Sequence, residues 1–111
     1  MKDVVIQMAD VFKALGEPTR LKIIKMLASN PERKLCVGAI ARKIGISQPA
    51  VSQHLKVLKS IGLVEPNRNG YHVHYAINTE MLAAYKESMD ELFQLAFEPC
   101  SCNNECQETT E

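Results

Sequence analysis

The strongest constraint on the fold of this chain is the segment KLCVGAIARKIGISQPAVSQHLKVLKS at residues 34–60. Apolar residues recur at helical spacing over about 37–44 and again over about 48–60, which predicts two short helices. Gly45 lies between them, where glycine commonly follows a helix end, and Ser47 is a suitable N-cap for the second helix. Two short helices joined by a tight turn that contains glycine define a helix-turn-helix motif.

The sequence on both sides of this motif predicts further helices and a β-hairpin. Asn69-Gly70 is a strong signal for a two-stranded hairpin between LVEPNR and YHVHYAI, and Asn78 then caps a last helix. Because the hairpin directly follows the helix-turn-helix, we predict a mainly α fold with a β-hairpin wing. The apolar stripes of the other helices are Val4, Met8, Val11 and Leu15 on the first helix, Leu21, Ile24, Leu27 and Ala28 on the second, and Leu82, Tyr85, Met89, Leu92 and Ala96 on the last.

The length of 111 residues predicts a single domain with a modest core. No apolar run approaches the ~18 residues that cross a bilayer, and the N-terminus lacks the apolar stretch of a signal peptide. We therefore expect a cytoplasmic protein with reduced cysteines and no membrane partner. The polar character of the sequence after the last helix divides the chain into a folded domain at 1–98 and a flexible, cysteine-containing tail at 99–111.

The formal net charge of zero conceals a strong asymmetry along the chain. Residues 33–75 contain seven lysines and arginines but one acid, Glu65, whereas residues 76–111 contain one base, Lys86, and eight acids. A basic middle beside an acidic end favours a local surface that faces a polyanion such as duplex DNA.

A helical wheel of 48–60 separates an apolar face from a polar face. Polar groups at the start of such a helix usually reach base edges, whereas lysines near its end contact phosphates. Arg68, with His72 or His74, is placed by the hairpin to meet the flanking backbone or the minor groove. His54 lies beside the apolar face, which predicts a partly buried, hydrogen-bonded side chain. The apolar face consists of Val51, Leu55 and Leu58, and the polar face consists of Gln48, Pro49, Ser52, Gln53, Lys56 and Lys59.

Three segments, FKALGEPTRLKIIKML, the helix-turn-helix and the NRNGYHVHYAI wing, resemble the ArsR/SmtB family of prokaryotic metal-responsive repressors. The resemblance covers about residues 8–77. It implies a homodimeric winged helix that represses its operon, requires no cofactor to bind operator DNA and leaves the DNA when an effector binds. It also places Gln48, Ser52 and Gln53 at positions where family members touch DNA.

A dimer is also expected on geometric grounds. Two recognition helices about 34 Å apart can read successive major grooves of a palindromic site. The apolar stripes of the first and last helices exceed the needs of one small core and suit a subunit interface. The alternative is that both stripes pack within one chain.

The candidate sensor is the stretch CSCNNEC, in which Cys100, Cys102 and Cys106 fall within seven residues. Thiolates select soft metals, and three of them can surround As(III) or Sb(III). Cadmium, lead or zinc is an alternative effector, with Cys36, a histidine or a cysteine of the other subunit as the fourth ligand of a tetrahedral site. Oxidation of neighbouring thiols to a disulfide or persulfide is a second alternative.

Two other sites used by family members are not expected in this chain. One uses a Cys-Val-Cys step at the start of the third helix, where this chain has Cys36 but Gly38 in place of the second cysteine. We interpret Cys36 as a small core residue. The other uses aspartate and histidine pairs on the last helix, which contains no histidine here. The sequence also lacks a Ser-His-Asp set, a phosphate-binding glycine loop and a Cys-x-x-Cys motif, so an enzyme is not expected.

Overall fold

The computed structural model describes residues 3–30, 32 and 34–99, with Asn69 described through its backbone alone. Every helix expected from the apolar spacing is present in this part of the chain. The order of elements is α1 (Val4–Leu15), α2 (Pro18–Ser29), β1 (Lys34–Cys36), α3 (Val37–Ile44), α4 (Gln48–Ser60), β2 (Val64–Asn69), β3 (His72–Ile77) and α5 (Thr79–Phe97).

Side-chain caps set the start of the long helices. Ser47 Oγ accepts a hydrogen bond from the backbone N–H of Ala50 at 3.2 Å, and Asn78 Oδ1 accepts from Met81 at 3.1 Å. Both caps were expected from the sequence and are confirmed. Each satisfies an N–H that has no partner within the helix.

The sheet is larger than the predicted two-stranded hairpin. Within the described residues it has three antiparallel strands in the order β1-β3-β2, with Leu35 opposite Tyr75. The prediction missed β1 because a strand of three residues is too short to show an alternating pattern. Its effect is to anchor the start of α3 directly to the wing.

The hairpin turn also lies one residue further along than the sequence suggested. Asn69 pairs with His72, so the loop consists of Gly70 and Tyr71 rather than Asn69 and Gly70. Gly70 has a φ of 67°, which glycine adopts without strain, and glycine is the usual residue at the first central position of a type II′ turn. The shift places Tyr71 at the tip of the wing.

One apolar core joins the helices to the sheet. Ile23, Ile40 and Leu63 are fully buried within it, and the hydroxyl of Tyr85 on α5 donates to the carbonyl oxygen of Ile61 after α4. This bond connects the first half of α5 to the end of the helix-turn-helix.

The predicted inward faces were partly wrong for α2. Leu27 is buried as predicted, whereas Leu21 is 50% exposed and Ala28 is exposed. Ile23, which the predicted stripe left out, is fully buried and shares a face with Leu27 at i, i+4 spacing. On α1 the predicted stripe lies mostly inside its own chain, since Met8 and Val11 are buried. Among the described residues, no helix has the length and apolarity needed to span a membrane.

Candidate nucleic-acid interface

The turn between α3 and α4 is fixed by a glycine in a left-handed conformation. Gly45 has a φ of 86°, and its N–H donates to the carbonyl oxygen of Ala41 at 2.8 Å. The N–H of Ile46 donates to the same oxygen at 3.2 Å. These bonds satisfy the end of α3 and direct the chain into α4.

The helix α4 has one buried side and one solvent-exposed side. Val51, Leu55 and Leu58 are at most 1% exposed, so their side of the helix is fixed against the core. The predicted contact residues all lie on exposed positions, with hydrogen-bonding groups near the N-terminus and cations near the C-terminus. They are Gln48, Pro49, Ser52, Gln53, Lys56 and Lys59.

Arg42 is a further residue of this surface that the sequence interpretation did not select. A Cβ added at Gly38 would lie 3.5 Å from Nε2 of Gln48 and 3.6 Å from Nη1 of Arg42. Gly38, at the start of α3, is therefore close to both the side-chain amide of Gln48 and the guanidinium of Arg42. The available signal was the pair of bases in the last turn of α3.

The polar side chains of the wing lie on both of its strands. Arg68 is exposed on β2 and pairs with Val73, whereas the rings of His72 and His74 lie on the neighbouring positions of β3 with centroids 6.4 Å apart. The tip residue Tyr71 is 102% exposed, so its ring is fully available to a partner. Sequence interpretation missed Tyr71 because it assigned this residue to the strand.

His54 is partly buried and hydrogen-bonded, as predicted. Its side chain is 22% exposed, and its Nδ1 lies 3.3 Å from Nη1 of Arg20 on α2 and 3.9 Å from Oε1 of Glu17. The pKa of Glu17 lies below its ordinary value of 4.5, chiefly because the carboxylate accepts a hydrogen bond from the backbone N–H of Arg20. This cluster connects α4 to the turn between α1 and α2.

The predicted sensor cysteines Cys100, Cys102 and Cys106 lie outside the described residues. Cys36 is only partly buried rather than a core residue, and it pairs with His74 across β1 and β3. Within residues 3–30, 32 and 34–99, no group of three or more His, Cys, Asp or Glu side chains is placed to hold a metal ion.

A glycine-containing turn between two helices, a recognition helix with one buried and one polar side, and an adjacent β-wing together define a winged helix-turn-helix. Residues 17–66 match the model of the bacterial regulatory proteins of the arsR family. The chain belongs to this family, whose members are transcription regulators rather than enzymes.

Characterised relatives and a solved structure agree with this assignment. The transcriptional repressor SdpR of Bacillus subtilis is 37% identical over 68% of this chain and 80% of its own length. The arsenical resistance operon repressor of Staphylococcus xylosus is 29% identical over 88% of this chain and 90% of its own. The homodimeric winged helix-turn-helix domain of Mb0332 from Mycobacterium bovis, a possible ArsR-family regulator, is 33% identical, with a TM-score of 0.64 over 83% of this chain and 79% of its own.

Proposed function

We propose that this transcription regulator is a homodimeric repressor that binds operator DNA through α4 and the wing and is released by a thiophilic effector. The observation that carries the DNA-binding part is the division of α4 into a fully buried apolar side and an exposed side that is polar except for Pro49. Because the buried side fixes the orientation of the helix, the exposed side is presented to a partner as one rigid surface.

The exposed side of α4 suits the major groove, because its chemistry changes from hydrogen-bonding groups near the start of the helix to cations near its end. Gln48, Ser52 and Gln53 carry groups that can bond base edges, with glutamine suited to adenine. Lys56 and Lys59 are suited to phosphates, which set the position of the helix without reading sequence. Arg68 extends the phosphate contacts along the wing, and Pro49 provides an apolar surface in the first turn.

The dimer is supported by apolar side chains that the monomer leaves exposed on α1 and α5. These two helices contact each other. Large apolar side chains that a monomer leaves exposed in such number are typical of a site of association. The homodimeric relative from Mycobacterium bovis has the same fold. The exposed residues are Val4, Val5, Ile6 and Phe12 on α1 and Leu82, Phe93, Leu95 and Phe97 on α5.

We assign the effector to the tail at 99–111, beyond a folded domain at 1–98. The support comes from the sequence, which places Cys100, Cys102 and Cys106 directly after α5, and from the described domain, which holds no group of three candidate metal ligands. Three thiolates suit As(III) or Sb(III), and the relative from Staphylococcus xylosus is an arsenical resistance operon repressor. Cadmium, lead, zinc and thiol oxidation remain the competing effectors.

The DNA-binding proposal is tested with a duplex fragment from upstream of the gene that encodes the chain. We expect binding that weakens steeply with salt, because neutralised phosphates release counterions. Gln53→Ala should lose discrimination between this fragment and random duplex DNA, whereas Lys59→Ala should weaken binding to both. Equal affinity for the two duplexes at all salt concentrations would contradict a sequence-specific repressor.

The effector proposal is tested by titrating the reduced protein–DNA complex with arsenite, antimonite, Cd²⁺, Pb²⁺, Zn²⁺ and a persulfide donor. We expect arsenite or antimonite to release the wild-type protein, and to fail when Cys100, Cys102 and Cys106 are all replaced by serine. Cys36→Ser is the matched control and should respond as the wild type does. Release of the triple variant at the same arsenite concentration would exclude the tail as the sensor, and release by the persulfide donor alone would establish the redox alternative.

A further inference from the structure

One guanidinium connects the recognition helix to the two helices that precede it. Arg20, on α2, donates from Nε to the carbonyl oxygen of Ala14 near the end of α1. Its Nη1 lies 3.3 Å from Nδ1 of His54 on α4. Since a guanidinium is planar and rigid, these contacts relate the position of α4 to that of α1.

The contact between Arg20 and His54 requires a neutral imidazole. Guanidinium nitrogens donate hydrogen bonds and do not accept them, so Nδ1 of His54 must be the acceptor. The proton of the neutral ring then lies on Nε2. A protonated ring carries N–H groups at both nitrogens, so it would lose this bond and place a second cation 3.3 Å from the first.

Glu17 provides an alternative partner for a protonated His54. Its Oε1 lies 3.9 Å from the same Nδ1 and already accepts the backbone N–H of Arg20 at 3.0 Å. That hydrogen bond holds the pKa of Glu17 below its ordinary value, so the carboxylate stays charged where histidine titrates. Protonation would therefore move His54 from Arg20 to Glu17.

We propose that the Arg20–His54 contact is a latch that positions the recognition helix and opens when His54 is protonated, so that operator affinity falls on acidification. The DNA readout of this proposal rests on the proposed function. His54 acts here as a positioning residue and touches no base. Gln48, Ser52 and Gln53 lie on the same rigid helix, so a small displacement of α4 disturbs several base contacts together.

Neighbouring charges do not reverse this direction. On α4, the residues one turn to either side of His54 are uncharged, since they are alanine, leucine and valines. The groove around Arg20 is lined by one acid and one base from α1 and by a further base from α4. The titratable side chains that line this groove with Arg20 are Asp10 and Lys13 of α1, Lys59 of α4 and Tyr85 of α5.

The wing histidines lie close to the proposed DNA surface and must be removed from the measurement. A positive charge on His72 or His74 would strengthen binding and oppose the effect sought. The experiment therefore uses His72→Gln/His74→Gln as its reference protein. Fluorescence anisotropy follows its binding to the duplex fragment from upstream of its gene, from about pH 8 to about pH 6 at constant ionic strength.

In this reference protein we expect the affinity to fall about fivefold to tenfold on acidification, a coupling of ordinary size. Adding His54→Gln, which keeps an acceptor oxygen but does not titrate in this range, should make the affinity independent of pH. An affinity that rises or stays constant on acidification in the reference protein, or an unchanged fall after His54→Gln, would overturn the proposal.

The latch also has a test that needs no DNA. Nitrogen-15 NMR of the imidazole at about pH 8 should show His54 protonated on Nε2 with a bare Nδ1. Arg20→Met, which removes every donor, should shift the Nδ1 resonance because that nitrogen loses its hydrogen bond. A proton on Nδ1 in the wild type would refute the latch, whereas failure to bind duplex DNA at every pH would refute the proposed function alone.

Discussion

Individual glycines have different roles in the helix-turn-helix. Gly45 has a positive φ in the turn, and nothing lies within 4 Å of a Cβ added there. The cost of a side chain at Gly45 is therefore conformational and not steric. Gly38 lies inside α3 with ordinary helical geometry, and an added Cβ would make normal van der Waals contacts.

This contrast predicts opposite effects of the same substitution. Gly45→Ala should destabilise the protein by about 1–2 kcal/mol, because it places an alanine in the left-handed region. Gly38→Ala should stabilise it by about 0.5–1 kcal/mol, because alanine loses less backbone entropy in a helix. Urea unfolding of both variants measures these changes, and destabilisation of equal size at both positions would contradict the argument.

The fully exposed ring of Tyr71 suggests a DNA contact at the tip of the wing. A tyrosine can place its ring against sugars or bases while its hydroxyl bonds a phosphate. We expect Tyr71→Ala to leave the thermal midpoint unchanged and to weaken duplex binding about fivefold to tenfold, within the range measured for aromatic contacts. Tyr71→Phe separates the two contributions, and unchanged affinity of Tyr71→Ala would exclude the contact.

Glu17 predicts a defined pH dependence of stability. Its pKa is lowered from 4.5 in the folded chain, so folding favours the charged form. The resulting stability is present above 4.5 and is lost as the pH falls through the folded pKa. Glu17→Gln should lower the thermal midpoint at neutral pH, and the difference from wild type should shrink on acidification. Glu65→Gln, which removes an exposed carboxylate from β2, is the control for the loss of one negative charge.

At the scale of the element, adjacent residues of α4 should have different roles, with buried residues contributing to the stability of the fold and exposed residues to the proposed DNA binding. Leu55 is 1% exposed and its neighbour Lys56 is exposed. Leu55→Ala should cost about 2–5 kcal/mol in the free energy of unfolding, because it opens a cavity in the core. Lys56→Ala should leave stability unchanged and reduce the salt dependence of duplex binding by about one ion. Loss of stability in Lys56→Ala would contradict the assignment of the two faces.

The elements differ in how well the sequence specified them. The ends of α4 and α5 followed from Ser47 and Asn78, because capping is a local interaction between residues close in sequence. β1 was missed because its three residues pair with a strand that lies almost forty positions further along the chain. The inward face of α2 was displaced because Lys22 and Lys25 flank several apolar residues, and only packing decides which of these is buried. The exposed face of α4 was predictable, whereas the position of Tyr71 depended on a turn register set by the paired strands.

At the scale of the whole molecule, the dimer should be separable from the fold. We expect Leu95→Glu to give a folded monomer with weakened duplex binding. Leu95 is 72% exposed in the protomer, so the substitution should not disturb the fold, whereas the charge of the new glutamate would be buried at the proposed interface. Leu21→Glu is the matched control, since Leu21 is half-exposed on α2 and should leave the dimer intact. Sedimentation measures the mass of each variant, and a Leu95→Glu dimer of unchanged stability would place the interface elsewhere.

The hydrogen bond from Tyr85 to Ile61 gives α5 a mechanical role. It fixes a fulcrum about one third of the way along a helix of 19 residues, and the part of the helix from there to Phe97 is about 18 Å long. A tilt of about 5° at that fulcrum moves the far end by roughly 1.6 Å. A displacement of ångström size at the outer end of α5 therefore becomes a small rotation of this helix at Ile61, beside the recognition helix.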